Sequence, residues 1–265
     1  MNLLKMNSSI MNFCIYGLGS TGKSAAKFLK SKNFNNIKTW DDKIRTKKRK
    51  KKFLKYLDSS DYIIVSPGIN LKKSKFKNNL FRNKHKIITD LDLFYLFNPN
   101  ITSIVITGTN GKSTTCKILE HVLKKNRINV KLGGNIGKPI LDLRLNNRPV
   151  VIIEASSFQL AHSKFITPDY AILLNITNDH IDWHGSMRNY VNSKLKIFKS
   201  QKKSQFAIVN KKFKLLFKKR GFEGKLITPN FVKYRKVKSK LKNDYLSSEI
   251  NDENMSNVFA LSKIF

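Results

Sequence analysis

A chain of 265 residues with 52 basic side chains, 17 acidic ones and a formal net charge of +35 has room for one large or two ordinary domains, each able to bury a core. Its two cysteines, Cys14 and Cys116, exclude a disulfide framework and read as small buried apolar residues, as expected in a reducing cytosol. No apolar run approaches a membrane span, and Asn7, Ser8, Ser9 and Asn12 interrupt what would be a signal-peptide core. The expectation is a soluble cytoplasmic protein without a membrane partner.

The charge invites a nucleic-acid partner, but the composition does not favour one. Only nine of the basic residues are arginines, whereas base readout favours the bidentate guanidinium. Lysine rises together with asparagine and isoleucine along the whole chain, as an AT-rich coding sequence would produce. The run Lys47–Lys52 and the basic stretch 211–242 read as solvated faces, whose field helps to gather anionic substrates.

Strand-like runs at 12–16, 36–40, 61–65 and 86–89 are followed by Asn98-Pro99-Asn100 and then by runs at 103–107, 129–132, 150–154, 170–175 and 206–209. Strands alternating with helical or polar stretches indicate parallel α/β architecture. The turn at 98–100 divides the chain into a Rossmann-like domain over 1–99 and a P-loop ATPase-like α/β domain over 100–265. Each half opens with a strand, a glycine loop and a helix. Residues 254–265 read as an amphipathic helix with Val258, Leu261 and Phe265 on one side.

The two loops carry the first chemical signal. Gly17-Leu-Gly-Ser-Thr-Gly-Lys-Ser24 satisfies both the Walker and the dinucleotide patterns. The second, Gly108-Thr109-Asn110-Gly111-Lys112-Ser113-Thr114, departs from the Walker spacing because Ile106 stands where the first glycine would be. Free N–H groups of such a turn and of the following helix converge on an anion, which Lys112 would neutralise, while Ser113 or Thr114 reaches a Mg2+ ion. Either loop is also compatible with a plain strand-to-helix turn in which glycine merely permits close packing. Further on, Glu154 stands at the carboxyl end of one strand, and Asp179, His180 and Asp182 follow another, where parallel sheets bind ligands. Carboxylates and a histidine beside a phosphate loop suggest Mg2+ ligands. A capping or packing role for His180 is the alternative.

Six motifs in order, GTNGKST (108–114), GGNIG (133–137), EASSFQL (154–160), NITNDHIDWHG (175–185), YVNSKLKIF (190–198) and, before them, SPGI (66–69), resemble the Mur ligases of peptidoglycan synthesis. SSFQL together with SPGI resembles the D-glutamate-adding branch. The resemblance implies an ATP-dependent ligase that activates the carboxylate of UDP-N-acetylmuramoyl-L-alanine as an acyl phosphate and adds D-glutamate. It implies that Lys112, Ser113 and Thr114 hold the ATP phosphates, and that Ser113 and Glu154 hold one Mg2+ and His180 the second. It further implies that CO2 carbamylates Lys194 into a metal-ligating carboxylate, and that Asn254 and Asn257 meet the ATP base. Asn135 and Gln159 would contact the muramoyl-alanine part. Ser20, Thr21, Asp41, Ser66 and Gly68 would hold the UDP moiety, so the loop matching the Walker pattern would bind substrate diphosphate and not ATP. Ala155 departs from the family's usual leucine. The family's third domain, which supplies the D-glutamate site, lies beyond the sequence, so the expectation is a chain that binds UDP-substrate and turns over poorly by itself, with a separately encoded C-terminal domain as an open partner. Two other classes stay open on the residues alone: an NAD-dependent oxidoreductase, from GLGSTG followed by Asp41, and a non-catalytic nucleotide- or polyanion-binding remnant.

Overall fold

The computed structural model describes residues 11–43 and 47–265; the interrupted apolar stretch at 7–9 and the side chains of Lys47 and Lys48 lie outside the described residues. In the first half, β1 (Phe13–Tyr16), α1 (Ser20–Ser31), β2 (Ile37–Trp40), α2 (Lys47–Ser59), β3 (Tyr62–Val65), α3 (Lys77–Arg82), β4 (Ile87–Ile88) and α4 (Asp90–Phe97) alternate. The second half runs β5 (Ser103–Thr107), α5 (Lys112–Lys125), β6 (Val130–Gly134), β7 (Val150–Glu154), α6 (Ser157–His162), β8 (Tyr170–Leu173), α7 (Ile181–His184), α8 (Met187–Lys199), β9 (Phe206–Val209), α9 (Lys214–Lys219), β10 (Lys225–Ile227), α10 (Phe231–Lys238), α11 (Asp244–Ser247) and α12 (Asp252–Ser262). The strands form two sheets of order β2-β1-β3-β4 and β10-β9-β8-β5-β7-β6. Every strand pair is parallel, the alternating α/β arrangement read from the sequence.

Topology places both glycine loops. In the first sheet β1 lies between β2 and β3, and in the second β5 lies between β8 and β7. Each glycine loop therefore leaves the strand at which the order of connection reverses, where the crevice beyond the carboxyl ends is open to a ligand. All five residues of β5, Ser-Ile-Val-Ile-Thr, are buried, as a central parallel strand covered on both faces requires. The buried stripe of α5, Cys116, Leu119 and Leu123, packs on that sheet, with Val122 partly covered.

The first sheet is stiffened on one face by a cluster of rings. Trp40 and Phe53 are 5.4 Å apart, Phe53 and Phe76 5.1 Å, and Tyr16 and Phe76 5.6 Å, each such pair adding about 1 kcal/mol beyond its area burial. The ring cluster also decides between the two adjacent aspartates. Tyr16 Oη and Trp40 Nε1 donate to Asp42 at 2.7 and 3.1 Å, so Asp42 braces β1 against β2. Asp41 is left to the loop.

On α2 the basic side chains of Arg49, Lys50, Lys51 and Lys52 are exposed while Phe53 and Leu57 are buried, which makes the run a solvated face. Three local differences from the sequence reading have simple causes. Strand β4 is only Ile87–Ile88, because a 3-10 turn occupies Lys84–Lys86. The short edge strand β10, Lys-Leu-Ile, pairs with β9 and is hidden in the sequence by the lysines around it. Phe265, expected on the buried side of the last helix, lies beyond the end of α12 at 40% exposure, where its ring rests 5.4 Å from that of Tyr170. No helix among the described residues is long and apolar enough to cross a membrane.

Candidate active site

The first loop is shaped by close packing. Gly17 has φ +94, and a Cβ there would stand 2.8 Å from Ser66 Cβ; a Cβ on Gly22 would lie 1.8 Å from the Gly17 carbonyl oxygen. The glycines thus let α1 start directly against the end of β1, and Ser66 Oγ ties the turn by donating to Gly17 O at 2.8 Å. Asp41 accepts from the Leu18 N–H at 2.8 Å and from the Lys43 N–H at 3.0 Å. These backbone donors hold its carboxyl below the usual range, with Lys43 and Lys23 adding to them. Helix α1 begins at Ser20 with no side-chain cap and no acidic residue in its first turn, leaving its positive end to attract an anion. Ser20 is exposed and Thr21 half-buried at that end, and Gly68 is exposed with open space around it.

The second loop converges more functional groups. Gly111 has φ +81, and a Cβ on it would stand 2.2 Å from Asn254 Oδ1, so glycine is required both for the left-handed turn and for the approach of α12. Helix α5 starts at Lys112, again with no side-chain cap and no acid in the first turn. Lys112 Nζ donates to Gly108 O at 3.0 Å and Thr109 O at 2.7 Å. Lys194, from α8, donates to the same Gly108 O at 2.6 Å. Two ammonium groups therefore meet on one carbonyl. Lys194 is 1% exposed, and burial first, then the neighbouring charge of Lys112, push its pKa down from 10.5 to about 7. The Tyr190 ring, 4.5 Å from Lys194 Nζ, is its other neighbour.

At the carboxyl end of β7, Glu154 is 1% exposed. Ser113 Oγ donates to its Oε2 and Asn135 Nδ2 to its Oε1, both at 2.8 Å. A hydroxyl and a carboxylate in contact beside a helix start fit Mg2+, which takes one or two protein oxygens and completes its shell with water and phosphate. Among the described residues no three His, Cys, Asp or Glu side chains cluster as a metal cage. Thr114, next to Ser113, lines an apolar hollow with Ile118, Tyr245 and Met255.

Helix α12 locks onto the loop. Thr115 Oγ1 donates to Asn254 Oδ1 at 3.2 Å, and Asn257 Nδ2 donates to Glu253 O at 2.7 Å. Asn257 Oδ1 is buried without a partner, an acceptor that a nucleotide base amino group suits.

Two sequence candidates stand apart from this cluster. His180, in a left-handed conformation with φ +53, pairs its Nδ1 with Asp179 at 3.2 Å and lies against the Phe158 ring, 4.6 Å between centroids. Gln159 is 2% exposed; its Oε1 accepts from Ser156 N and Oγ, closing the cap of α6, and its Nε2 donates to Asp90 at 3.1 Å. The Gln159–Asp90 pair joins the two halves of the chain.

Sequence reasoning assigned no role to Asn175, yet it clamps the loop from the end of β8. Its Oδ1 accepts from Thr109 N at 3.1 Å and Asn110 N at 2.8 Å, and its Nδ2 donates to Asn110 O at 3.2 Å and Glu253 Oε2 at 2.9 Å. The carboxamide thereby connects the second glycine loop to α12. Tyr190, also unassigned, places its Oη 2.9 Å from Thr109 Oγ1.

A parallel sheet whose switch point carries an uncapped glycine loop, a lysine, a hydroxyl and a buried glutamate is an arrangement suited to an anionic ligand. The Mur ligase middle domain matches residues 106–261, and the chain belongs to the Mur ligase family. It is 38% identical over 197 residues to the UDP-N-acetylmuramoylalanine--D-glutamate ligase of Wolbachia pipientis wMel, covering 70% of this chain and 38% of that protein. The ligase of the same name from Aquifex aeolicus is 35% identical over 201 residues, covering 76% and 47%. The chain thus spans less than half the length of these curated relatives. Among solved structures, the UDP-N-acetylmuramate:L-alanyl-gamma-D-glutamyl-meso-diaminopimelate ligase of Neisseria meningitides shares the fold, with a TM-score of 0.52 at 15% identity over 83% of this chain and 78% of that one.

Proposed function

We propose that the chain carries the nucleotide-handling core of an ATP-dependent ligase that joins D-glutamate to UDP-N-acetylmuramoyl-L-alanine. The observation that carries this reading is the meeting of Lys112 and Lys194 on Gly108 O, beside the helix start at which Ser113 pairs with Glu154. A loop lysine, a metal-binding oxygen pair and a buried amine open to modification suit a triphosphate site, and ligation through a phosphorylated carboxylate is governed by positioning and charge neutralisation.

In this reading residues 108–114 cradle the ATP phosphates, and Lys112 leaves the loop carbonyls for the γ-phosphate. Ser113 and Glu154 would hold Mg2+, and His180 would be a ligand of a second ion. Lys194, close to neutral at physiological pH, is able to take up CO2; the resulting carbamate would convert its repulsion from Lys112 into attraction and add a metal-binding oxygen. Asn254 and Asn257 receive the base. On the other sheet, Ser20, Thr21, Asp41, Ser66 and Gly68 hold the uridine diphosphate part of the substrate, and Asn135 lies at the muramoyl end. Gln159, which also fixes α6 through Ser156, contacts the muramoyl-alanine part with it.

Glu154→Gln tests the metal assignment. The amide keeps the shape of the side chain but not its charge, so affinity for ATP in Mg2+ is expected to fall about tenfold. Affinity for ATP measured in EDTA should change little. An equal loss in both conditions would remove Glu154 from the metal site.

A further inference from the structure

Helix α8 has two working faces. Tyr190 and Lys194 point to the phosphate loop, whereas Asn189, Asn192 and Lys196 line a separate cavity of about 400 Å³. Its remaining wall joins the halves of the chain, with Lys72 and Lys84 on one side and His162 and Trp183 on the other. An adjoining hollow of about 140 Å³ shares Lys196 and adds Lys164 and Lys199.

Three observations give this cavity a ligand chemistry. The Trp183 indole nitrogen and His162 Nε2 are buried without a partner, and an indole N–H can only donate. No acidic residue lines either hollow. The closest carboxylate acting on Lys196 is Asp92, and it is already engaged: its oxygens accept the N–H groups of Lys164, Phe165 and Thr89 at 2.7, 2.7 and 2.8 Å.

The ammonium groups are held in place but not neutralised. Lys196 Nζ donates to Ala161 O and Ser163 O at 2.6 and 3.1 Å, and Lys164 Nζ to Lys84 O and His85 O at 3.0 and 2.7 Å. Their uncompensated field is felt by the imidazole. Burial foremost, then Lys196, Lys84, His184 and Lys164, push His162 down to about 4.

We propose that this cavity binds a small phosphate-bearing anion at a site separate from both glycine loops, with Lys84 and Lys196 as its donors and the His162 and Trp183 rings in its wall. Because the cavity wall is the back of the helix that carries Lys194, occupancy couples the segment around Lys72 and Lys84 to the active-site face. The inference does not depend on the reaction assigned above.

The test uses the full chain carrying Lys112→Ala, so that binding at the phosphate loop is suppressed, and follows the His162 imidazole by NMR. Inorganic phosphate and ribose 5-phosphate are titrated in parallel, the tighter of the two distinguishing a free anion from a phosphorylated metabolite. The expected result is a saturable shift with the imidazole pKa raised by about one unit or more. Lys84→Glu, an exposed change that leaves the fold intact, should abolish the shift, and Lys196→Met should weaken binding about tenfold. No saturable change at about 10 mM of either probe would overturn the proposal. A change of the same size in Lys84→Glu would mean an adventitious ion only, and would also overturn it.

Discussion

Lys112→Ala is expected to lower the affinity for ATP about a hundredfold, a loss of about 3 kcal/mol, because it removes the cation that faces a largely desolvated phosphate. The fold should survive. Lys112 Nζ makes its hydrogen bonds to the loop's own carbonyls, Gly108 O and Thr109 O, and without it Gly108 O keeps its bond from Lys194. Fluorescent-nucleotide titration would measure the loss, and urea denaturation the stability. Since the first loop also carries a lysine in Walker spacing, Lys23, the companion variant Lys23→Ala should leave ATP affinity unchanged. If Lys23→Ala is the variant that loses ATP, the roles of the two loops are reversed.

Lys194 gives the second large effect, with a sign opposite to that of most buried substitutions. In the folded chain its amine titrates near 7 and in the unfolded chain near 10.5. Between these values the unfolded state binds one more proton, so stability rises with pH across that window, and the full penalty is present below about 7. Lys194→Met should therefore be more stable than the natural chain at pH 6 by about 3 kcal/mol. The difference should vanish only above about pH 11.5, where the lysine is neutral in both states. Chemical denaturation at a series of pH values reads both limits. A variant destabilised at every pH would mean that the hydrogen bond to Gly108 O outweighs the cost of the buried charge. The same neutral amine should yield a carbamate carbon signal with 13C-bicarbonate, absent from Lys194→Met.

The parts of this site legible in the sequence are those in which one short segment specifies both backbone and chemistry. A β-branched strand, a glycine turn and Lys-Ser-Thr placed the second loop at a strand end, and Val-Val-Ile-Ile-Glu placed a carboxylate at another. Parallel pairing and the sheets' alternation followed from the same periodicity. What sequence could not show is chemistry made by distance along the chain. Asn175 is one asparagine among many until the fold brings it to Thr109 and Asn110. The depressed amine of Lys194 depends on burial and on Lys112, neither visible among 43 lysines, and only the resemblance of its motif singled it out. Gln159 stands out in its motif, but only the fold shows its carboxamide bonded to Ser156 and Asp90. Asp41 and Asp42 look equivalent in sequence, and the rings of Tyr16 and Trp40 separate them.

The central claim is that the two glycine loops serve different ligands, the first a uridine diphosphate substrate and the second ATP. Its most direct test is calorimetric titration of the 265-residue chain with UDP-N-acetylmuramoyl-L-alanine, with NAD as the competing ligand and Lys112→Ala as the second protein. Binding of the muramoyl nucleotide by both proteins, with no heat from NAD, is the predicted result; binding of NAD, or loss of the muramoyl nucleotide in Lys112→Ala, would contradict it.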